Sequence, residues 1–173
     1  ASNDYIVRTT VNYLNTHTPD LVIIGWTIED RLEIGGKTSN AHHNPEIFKH
    51  WDQDWANNKT QSQITMMDRY ILRDIPHYHC CTWIDDFYFK NMDNYLGRFV
   101  DWAYETPHGP KGHPLELGHR RIADEILKNI SLYQIAVIVI RSKSLVLPVK
   151  DLRIVCIRWS TSGIGLTTQM LRV

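Results

Sequence analysis

The order of apolar and polar positions in the first 30 residues predicts a helix followed by a buried strand. Apolar side chains recur at helical spacing from Ile6 to Leu14, behind a helix cap at Ser2-Asn3-Asp4. The segment 20–27 is then continuously apolar up to Gly25, which is typical of a strand buried on both faces. A helix that leads into such a strand indicates an α/β domain with a parallel sheet.

Residues 60–102 predict a helix, a strand and a second helix. A capping box opens the first helix over residues 60–63, the strand covers residues 75–83, and apolar residues recur at helical spacing over residues 92–102. Ligands of parallel sheets bind beyond the carboxyl ends of the strands. The candidate site therefore lies after the first strand and beside the first helix, at Asn3, Gly25, Trp26, Thr27 and Arg31.

Residues 35–59 are polar and contain Gly35-Gly36 and Asn44-Pro45, so they predict a long surface excursion rather than part of the sheet. Phe48, Trp51 and Trp55 are spaced to share one face of a short helix. Packing of these rings into the core is the favoured interpretation. A lid that stacks on a substrate is the alternative.

The last part of the chain differs in composition from the rest. Residues 131–173 hold six Lys/Arg against one acidic residue, and residues 132–140 and 153–159 predict strands. We therefore divide the chain into a domain over residues 1–130 and a strand-rich basic extension over residues 131–173. An added β-element, unrelated sequence introduced by a frameshift, and a permuted first strand all stay open as explanations of the extension.

Composition excludes several classes of function. The chain has 19 Lys/Arg and 19 Asp/Glu, so no overall basic charge favours a nucleic-acid partner. No apolar run is long enough for a membrane span, and no signal peptide is visible. Three cysteines, two of them adjacent, predict a reducing, cytoplasmic location rather than a disulfide framework. We expect no cofactor.

A loop rich in proline and glycine precedes the last amphipathic helix of the domain. It runs from Pro107 to Pro114 and leads into apolar positions at Ile122, Ala123, Ile126, Leu127 and Ile130. The spacing places His113 at the mouth of the loop. It also predicts that His119 shares the apolar side of the helix and faces the core.

Gly112-His113-Pro114 and Gly118-His119 resemble the last conserved block of the SGNH/GDSL hydrolases, where a histidine followed by proline is the general base of a Ser-His-Asp triad. The helix and the strand that closes on Gly25 are similar to the family's second and third blocks. Over residues 1–130, the resemblance implies a three-layer, flavodoxin-like α/β fold. It also implies an esterase, with His113 as catalytic base and a small-molecule or carbohydrate ester as substrate.

The chain departs from the family pattern at its other functional positions. The family's aspartate lies two or three residues before the histidine, where this chain has Pro110-Lys111. The family's Gly-x-Asn-Asp is replaced by Gly25-Trp26-Thr27-Ile28, so Thr27 is a weak substitute for the oxyanion-hole asparagine. No Gly-Asp-Ser occurs, and Ser160 or Ser162 would serve as nucleophile only if the extension supplied the first strand. We therefore expect a sheet incomplete on its N-terminal side and weak or no activity.

Two carboxylates follow the second predicted strand. Asp85 and Asp86 lie at a sheet end, where one of them could orient His113. A solvated turn explains them equally well.

An incomplete sheet would also expose a strand edge. We therefore expect the chain to self-associate into a homo-oligomer, which light scattering would detect.

Other function classes stay open. His77, His79 and Cys81 alternate along the predicted strand, so they would share one face and could offer nitrogen and sulfur ligands to zinc. Buried strands often carry such residues without a metal, and we predict no metal site.

A binding or structural protein of hydrolase-like fold is the main alternative to an enzyme. Arg31 could then pair with an anionic group, or simply with Glu29 or Asp30.

Overall fold

The computed structural model describes residues 2–82, 86–109, 112–141 and 154–156. Its helices and strands, in chain order, are α1 (Asn3–Leu14), β1 (Leu21–Trp26), β2 (Arg31–Ile34), β3 (Lys37–Asn40), α2 (Pro45–Phe48), α3 (Gln53–Met66), β4 (His77–Cys81), β5 (Tyr95–Arg98), α4 (Phe99–Ala103), α5 (Glu116–Arg141) and β6 (Ile154–Cys156). A π-helical turn, Met67–Ile71, extends α3, and 3₁₀ turns cover Ala41–His43 and Asp86–Phe89.

The centre of the domain is a parallel sheet in which β4 lies between β1 and β5. The register pairs Val22 with His77 and Trp26 with Cys81, so β1 and β4 end at the same level. The short β6 pairs in parallel with the other side of β1. The predicted α/β class with a parallel sheet is therefore confirmed. Ser160, Ser162 and most of the predicted C-terminal extension lie outside the described residues.

Helices cover both faces of the sheet. Val22, Ile24 and Trp26 of β1 pack with Ile6 of α1 and Ile64 of α3. On the opposite face, Leu21 and Ile23 pack in a second cluster with Ile126 and Ile130 of α5. The alternation of β1 side chains between two apolar layers explains why the strand reads as a continuous apolar run.

The first helix and strand form where the sequence predicts them. Ser2 is the N-cap of α1, and its hydroxyl accepts a hydrogen bond from the backbone N–H of Tyr5 at 3.2 Å. Residues 35–40, in contrast, are not a structureless excursion. Gly35 and Gly36 have φ values of 56° and 75° and form the turn of an antiparallel hairpin between β2 and β3. Two adjacent glycines favour that turn because both positions need positive φ.

Helix α3 begins before the predicted capping box. Asp52 is its N-cap, accepting from the backbone N–H of Trp55 at 2.8 Å, and Thr60 lies buried inside the helix. An aspartate cap eight residues upstream therefore takes the predicted role of Thr60.

The predicted helix over residues 92–102 is wrong in its first half. Residues 95–98 form β5, in which Gly97 has a φ of 130°, and only Phe99–Ala103 are helical. The aromatic spacing of this segment matches a helix, but the backbone at Gly97 lies outside the helical region.

The predicted strand over residues 132–140 is also wrong, because α5 continues without a break to Arg141. Periodicity alone does not separate a buried strand from a helix in an uninterrupted apolar run. Ile122, Ile126, Leu127 and Ile130 form the inward stripe as predicted, whereas Ala123 and His119 are exposed. Within the described residues, no helix combines the length and apolar character that a membrane crossing requires.

Candidate functional site

The carboxyl end of β1 holds two of the predicted site residues in direct contact. The Asn3 side chain donates from Nδ2 to the backbone oxygen of Thr27 at 3.1 Å and accepts at Oδ1 from the Thr27 N–H at 3.0 Å. Both residues are buried, and the Thr27 hydroxyl has no hydrogen-bond partner among the described residues. Asn3 therefore fixes the start of α1 to the loop that follows β1.

Three other predicted site residues have different roles. Gly25 lies inside β1, where a Cβ atom would come within 3.0 Å of the Phe99 ring, so this glycine allows close packing. Trp26 is fully buried and points into the core. Arg31 starts β2 half-buried, and within the described residues it forms no ion pair with Glu29 or Asp30.

His113 is exposed in the loop before α5, as predicted. The loop is closed by hydrogen bonds from Gly109 N–H to the His113 oxygen, at 2.8 Å, and from Leu115 N–H to the Pro107 oxygen, at 3.1 Å. Both bonds use the backbone. The imidazole of His113 makes no hydrogen bond, ion pair or ring contact with the part of the chain that the structure describes.

The close packing of α5 on α4 places this loop on the carboxyl side of the sheet. A Cβ atom on Gly118 would lie 3.4 Å from the Cβ of Ala103 and 2.6 Å from the hydroxyl of Thr106. Since α4 begins where β5 ends, the start of α5 lies beyond the carboxyl end of β5. This is the edge at which α/β proteins bind ligands.

Asp86 does not orient His113. Its Oδ1 accepts a 2.5 Å hydrogen bond from the Tyr95 hydroxyl, which also lies 3.1 Å from the Cys81 sulfur. Burial, followed by the Asp86 hydrogen bond, raises the pKa of Tyr95 above its usual range. Burial raises the pKa of the Cys81 thiol to about 12, so Cys81 is not an activated nucleophile. Asp85 lies outside the described residues.

A histidine pair, buried His79 and half-buried His77, forms a second cluster on the amino half of β4. His77 and His79 share one strand face as predicted, and their rings lie 5.3 Å apart. Their common partner is Asp68 of the π-helical turn, whose Oδ1 lies 3.0 Å from His77 Nε2 and 3.4 Å from His79 Nε2. Asn94 donates to the same oxygen at 3.0 Å. Cys81, the third predicted ligand, contacts Tyr95 instead.

The hydrogen-bond partners assign the proton positions on both rings. The Trp26 indole N–H donates to His79 Nδ1 at 2.9 Å, so the proton of neutral His79 is on Nε2, facing Asp68. His77 Nδ1 lies 2.8 Å from the Ile75 carbonyl oxygen and must donate to it. The contact of His77 Nε2 with Asp68 is then a hydrogen bond only when both ring nitrogens carry a proton.

The electrostatics of the cluster follow from this arrangement. The His79 hydrogen bond is the largest cause that holds the pKa of Asp68 well below its usual range. Burial lowers the pKa of His79, because the charged imidazolium would lose its hydration. The cluster is therefore an ionised carboxylate held by N–H donors.

The same assignment argues against zinc at this cluster. One potential ligand atom each from Asp68, His77 and His79 lies within 4.8 Å of the others, which is close enough for one ion. A metal at His79 Nε2 would require the proton to move to Nδ1, where the Trp26 N–H already donates. Asp68 and His77 can supply ligand atoms, but His79 cannot while the Trp26 hydrogen bond persists.

The aromatic residues of the region 42–55 form an exposed cluster rather than part of the core. This aromatic patch consists of His42, Phe48, Trp51 and Trp55. The ring centroids of His42 lie 5.3 Å from Phe48 and 5.7 Å from Trp51, and Trp51 lies 6.4 Å from Trp55. Phe48 is 52% exposed and Trp55 is 51% exposed, so the prediction that they pack into the core is wrong.

A polar network joins the aromatic patch to the carboxyl edge of the sheet. Gln53 donates to Glu29, in the loop after β1, at 3.0 Å and to Asn57 at 2.9 Å. Asn57 also accepts from the hydroxyl of Tyr88, in the turn after β4, at 2.9 Å. Trp51 enters the network by donating its indole N–H to Gln53 at 3.1 Å.

Sequence reasoning missed Asp68, Asn94 and this network. Their side chains meet only through the fold, since Asp68 is 26 positions before Asn94 and Glu29 is 24 positions before Gln53. One signal was available for Asp68, because an acid at the end of a helix that leads into a histidine-bearing strand can reach that strand.

Comparison with known proteins adds nothing to these observations, since no family model, curated protein or solved structure matches the chain. The function is therefore argued from the site alone.

Proposed function

We propose that residues 1–130 form an SGNH/GDSL-like domain for the hydrolysis of an ester or acetyl ester, with His113 as the general base. The observation that carries this proposal is the position of His113. Its imidazole is exposed in a closed loop before α5, on the carboxyl side of a parallel sheet. A general base has to reach a substrate in this way, with a ring nitrogen free to accept a proton.

The flavodoxin-like assignment is part of the proposal. Helices on both faces of the sheet and the strand order β5–β4–β1 are compatible with it. The short β6 lies beside β1, where such a fold needs a further parallel strand. This position supports the interpretation of the extension as a replacement for the first strand.

The expected activity depends on the other residues of a hydrolase site, namely the carboxylate that orients the histidine, the oxyanion-hole donor and the nucleophile. Among the described residues no carboxylate orients the His113 ring, and Thr27 keeps its hydroxyl buried. Ser160 and Ser162 follow β6 in the sequence and are the candidate nucleophiles of this chain. We therefore expect weak activity or none from the chain as it stands.

A non-catalytic binding protein is the second candidate, and the aromatic patch favours it. Exposed aromatic rings at the ligand-binding edge of a sheet are useful for recognition whether or not a reaction follows. Zinc binding is a weaker alternative, because the hydrogen bond from Trp26 to His79 Nδ1 keeps the His79 proton on the nitrogen that would bind the metal.

Labelling with a fluorophosphonate probe tests the hydrolase proposal. The probe reacts with an activated serine, so we expect slow labelling that falls by about 100-fold or more in His113→Ala. His50→Ala, which also removes an exposed histidine, is the matched control. Peptide mapping would locate the serine, with Ser160→Ala and Ser162→Ala as confirmation. Absence of labelling in folded protein, or equal labelling of both histidine variants, would leave binding as the better proposal.

A further inference from the structure

The aromatic patch combines exposed ring faces with a neighbouring hydrogen-bonding network. Phe48 and Trp55 each expose about half of their surface, and Glu29, Gln53 and Asn57 carry carboxylate and amide groups beside them. Tyr70 and Tyr104, which are 75% and 77% exposed, make no ring contact with another described residue. The patch is thus a set of rings held in place by each other, which differs from scattered surface aromatics.

The contacts within the patch hold the rings in fixed positions. The ring of Trp55 meets Trp51 at an interplanar angle of 86°, and the ammonium of Lys59 lies 5.3 Å from a Trp55 ring centroid. Lys59 is itself anchored by Asp4 at 2.7 Å. Because these partners restrain Trp55, a ligand that stacks on its remaining surface has little side-chain entropy to offset.

The charge around the patch argues against an anionic ligand. Residues 41–59 carry three acidic and two basic side chains, and both lysines are paired with carboxylates, Lys49 with Glu46 and Lys59 with Asp4. A surface for phosphate or sulfate groups needs an excess of basic side chains. A neutral ligand that offers apolar faces to the rings and hydroxyl groups to the amides and carboxylate is complementary to this surface.

We infer that the aromatic patch binds a neutral oligosaccharide. The C–H faces of a pyranose ring stack on Trp55 and Phe48, and its hydroxyl groups exchange hydrogen bonds with the network at Glu29, Gln53 and Asn57. This inference deepens the proposed function, and it rests on that function for the role of His113, because it makes the substrate class a carbohydrate ester.

The position of the patch fits a chain of several sugar units. Its network is attached to the loop after β1 and the turn after β4, whereas His113 lies beyond β5. Adjacent strands are about 4.8 Å apart, so β1 and β5 are separated by roughly 10 Å. An oligosaccharide on the patch can therefore extend along the edge towards the His113 loop.

Titration with defined sugars tests the inference. Cellohexaose, xylohexaose and chitohexaose are added to the full chain, with a heparin hexasaccharide as the anionic comparison, and binding is measured by calorimetry. We expect at least one neutral hexasaccharide to bind and Trp55→Ala to weaken its binding about tenfold or more, with a smaller loss in Phe48→Ala. Tyr70→Ala, which removes a more exposed aromatic outside the patch, should bind as the unmodified chain does.

Three results would overturn the inference: no binding of any neutral hexasaccharide by folded protein, equal binding by Trp55→Ala, or binding of the heparin fragment alone. Circular dichroism establishes that each variant is folded. The same variants distinguish failure of this inference from failure of the hydrolase proposal, because His113→Ala should keep sugar binding and lose fluorophosphonate labelling. Trp55→Ala should show the opposite pattern, since the small probe does not need the patch.

Discussion

The two histidine regions of this domain are built in opposite ways. His79 is fully buried, and its two ring nitrogens face the Trp26 indole and the Asp68 carboxylate. His113 is exposed, and its imidazole has no partner among the described residues. A histidine with both nitrogens occupied stabilises the fold, whereas one with free nitrogens is able to exchange protons with a substrate. Hydrogen-bond occupancy, rather than the number of histidines, therefore separates the structural cluster from the candidate base.

The largest test of this comparison removes the carboxylate of the buried cluster. Asp68→Ala leaves the N–H groups of His79 and Asn94 without their common acceptor. We expect the free energy of unfolding to fall by about 3 kcal/mol, because each unsatisfied buried donor is costly. Urea denaturation measures the change. Asp74→Ala, at a carboxylate that is 79% exposed, is the control and should unfold as the unmodified chain does.

The second test uses pH. Burial holds the pKa of His79 below the unfolded value of 6.5, so below pH 6.5 the unfolded chain binds a proton that the folded chain does not. Stability should therefore fall as the pH drops from 6.5, by at most about 1.4 kcal/mol per pH unit from this group. The lowered pKa of Asp68 adds a further loss below pH 3.8.

His79→Gln should flatten the fall between pH 6.5 and the folded-state pKa of His79, as measured by urea denaturation at a series of pH values. His50→Gln, at an exposed histidine, should keep the slope of the unmodified chain. An unchanged slope in His79→Gln would mean that a group other than His79 causes the loss of stability at low pH. His79 would then not be the acid-sensitive group of the fold.

Sequence patterns predicted the first half of the sheet better than the second. The strand at β1 is continuously apolar, and the shared face of His77 and His79 follows directly from strand alternation. The prediction for the segment around Gly97 was wrong, because its aromatic spacing matches a helix whereas its backbone forms β5. Local spacing does not record which neighbouring strand will pair with a segment, and that pairing decides the outcome.

The candidate site was predictable only where it is local. The exposure of His113 follows from proline and glycine in its own loop. The structural role of Asn3 and Thr27 was not predictable in this way. The two residues lie 24 positions apart, and their buried hydrogen bonds hold the start of α1 against the loop after β1. The aromatic patch was misjudged for a physical reason as well, since aromatic spacing does not reveal whether a neighbouring layer covers the rings.

A smaller effect is expected from zinc. The Trp26 N–H fixes the His79 proton on Nε2, so added zinc should leave the melting temperature of the unmodified chain unchanged. In Trp26→Phe the proton can move to Nδ1, and zinc should then raise the melting temperature of that variant through Asp68, His77 and His79. Stabilisation of the unmodified chain, reversed by a chelator, would contradict the proton assignment and return the cluster to the class of metal sites.

The smallest change in stability should come from His113→Ala. The bonds that close its loop use backbone atoms, which alanine retains, and the lost imidazole makes no hydrogen bond, ion pair or ring contact with a described residue. We expect the free energy of unfolding to stay within about 0.5 kcal/mol of the unmodified value. His79→Ala should lower it markedly, since it leaves the Trp26 N–H and Asp68 without their partner. A large loss in His113→Ala would make His113 a structural residue, whereas a neutral result together with lost labelling would assign its imidazole to chemistry at the sheet edge.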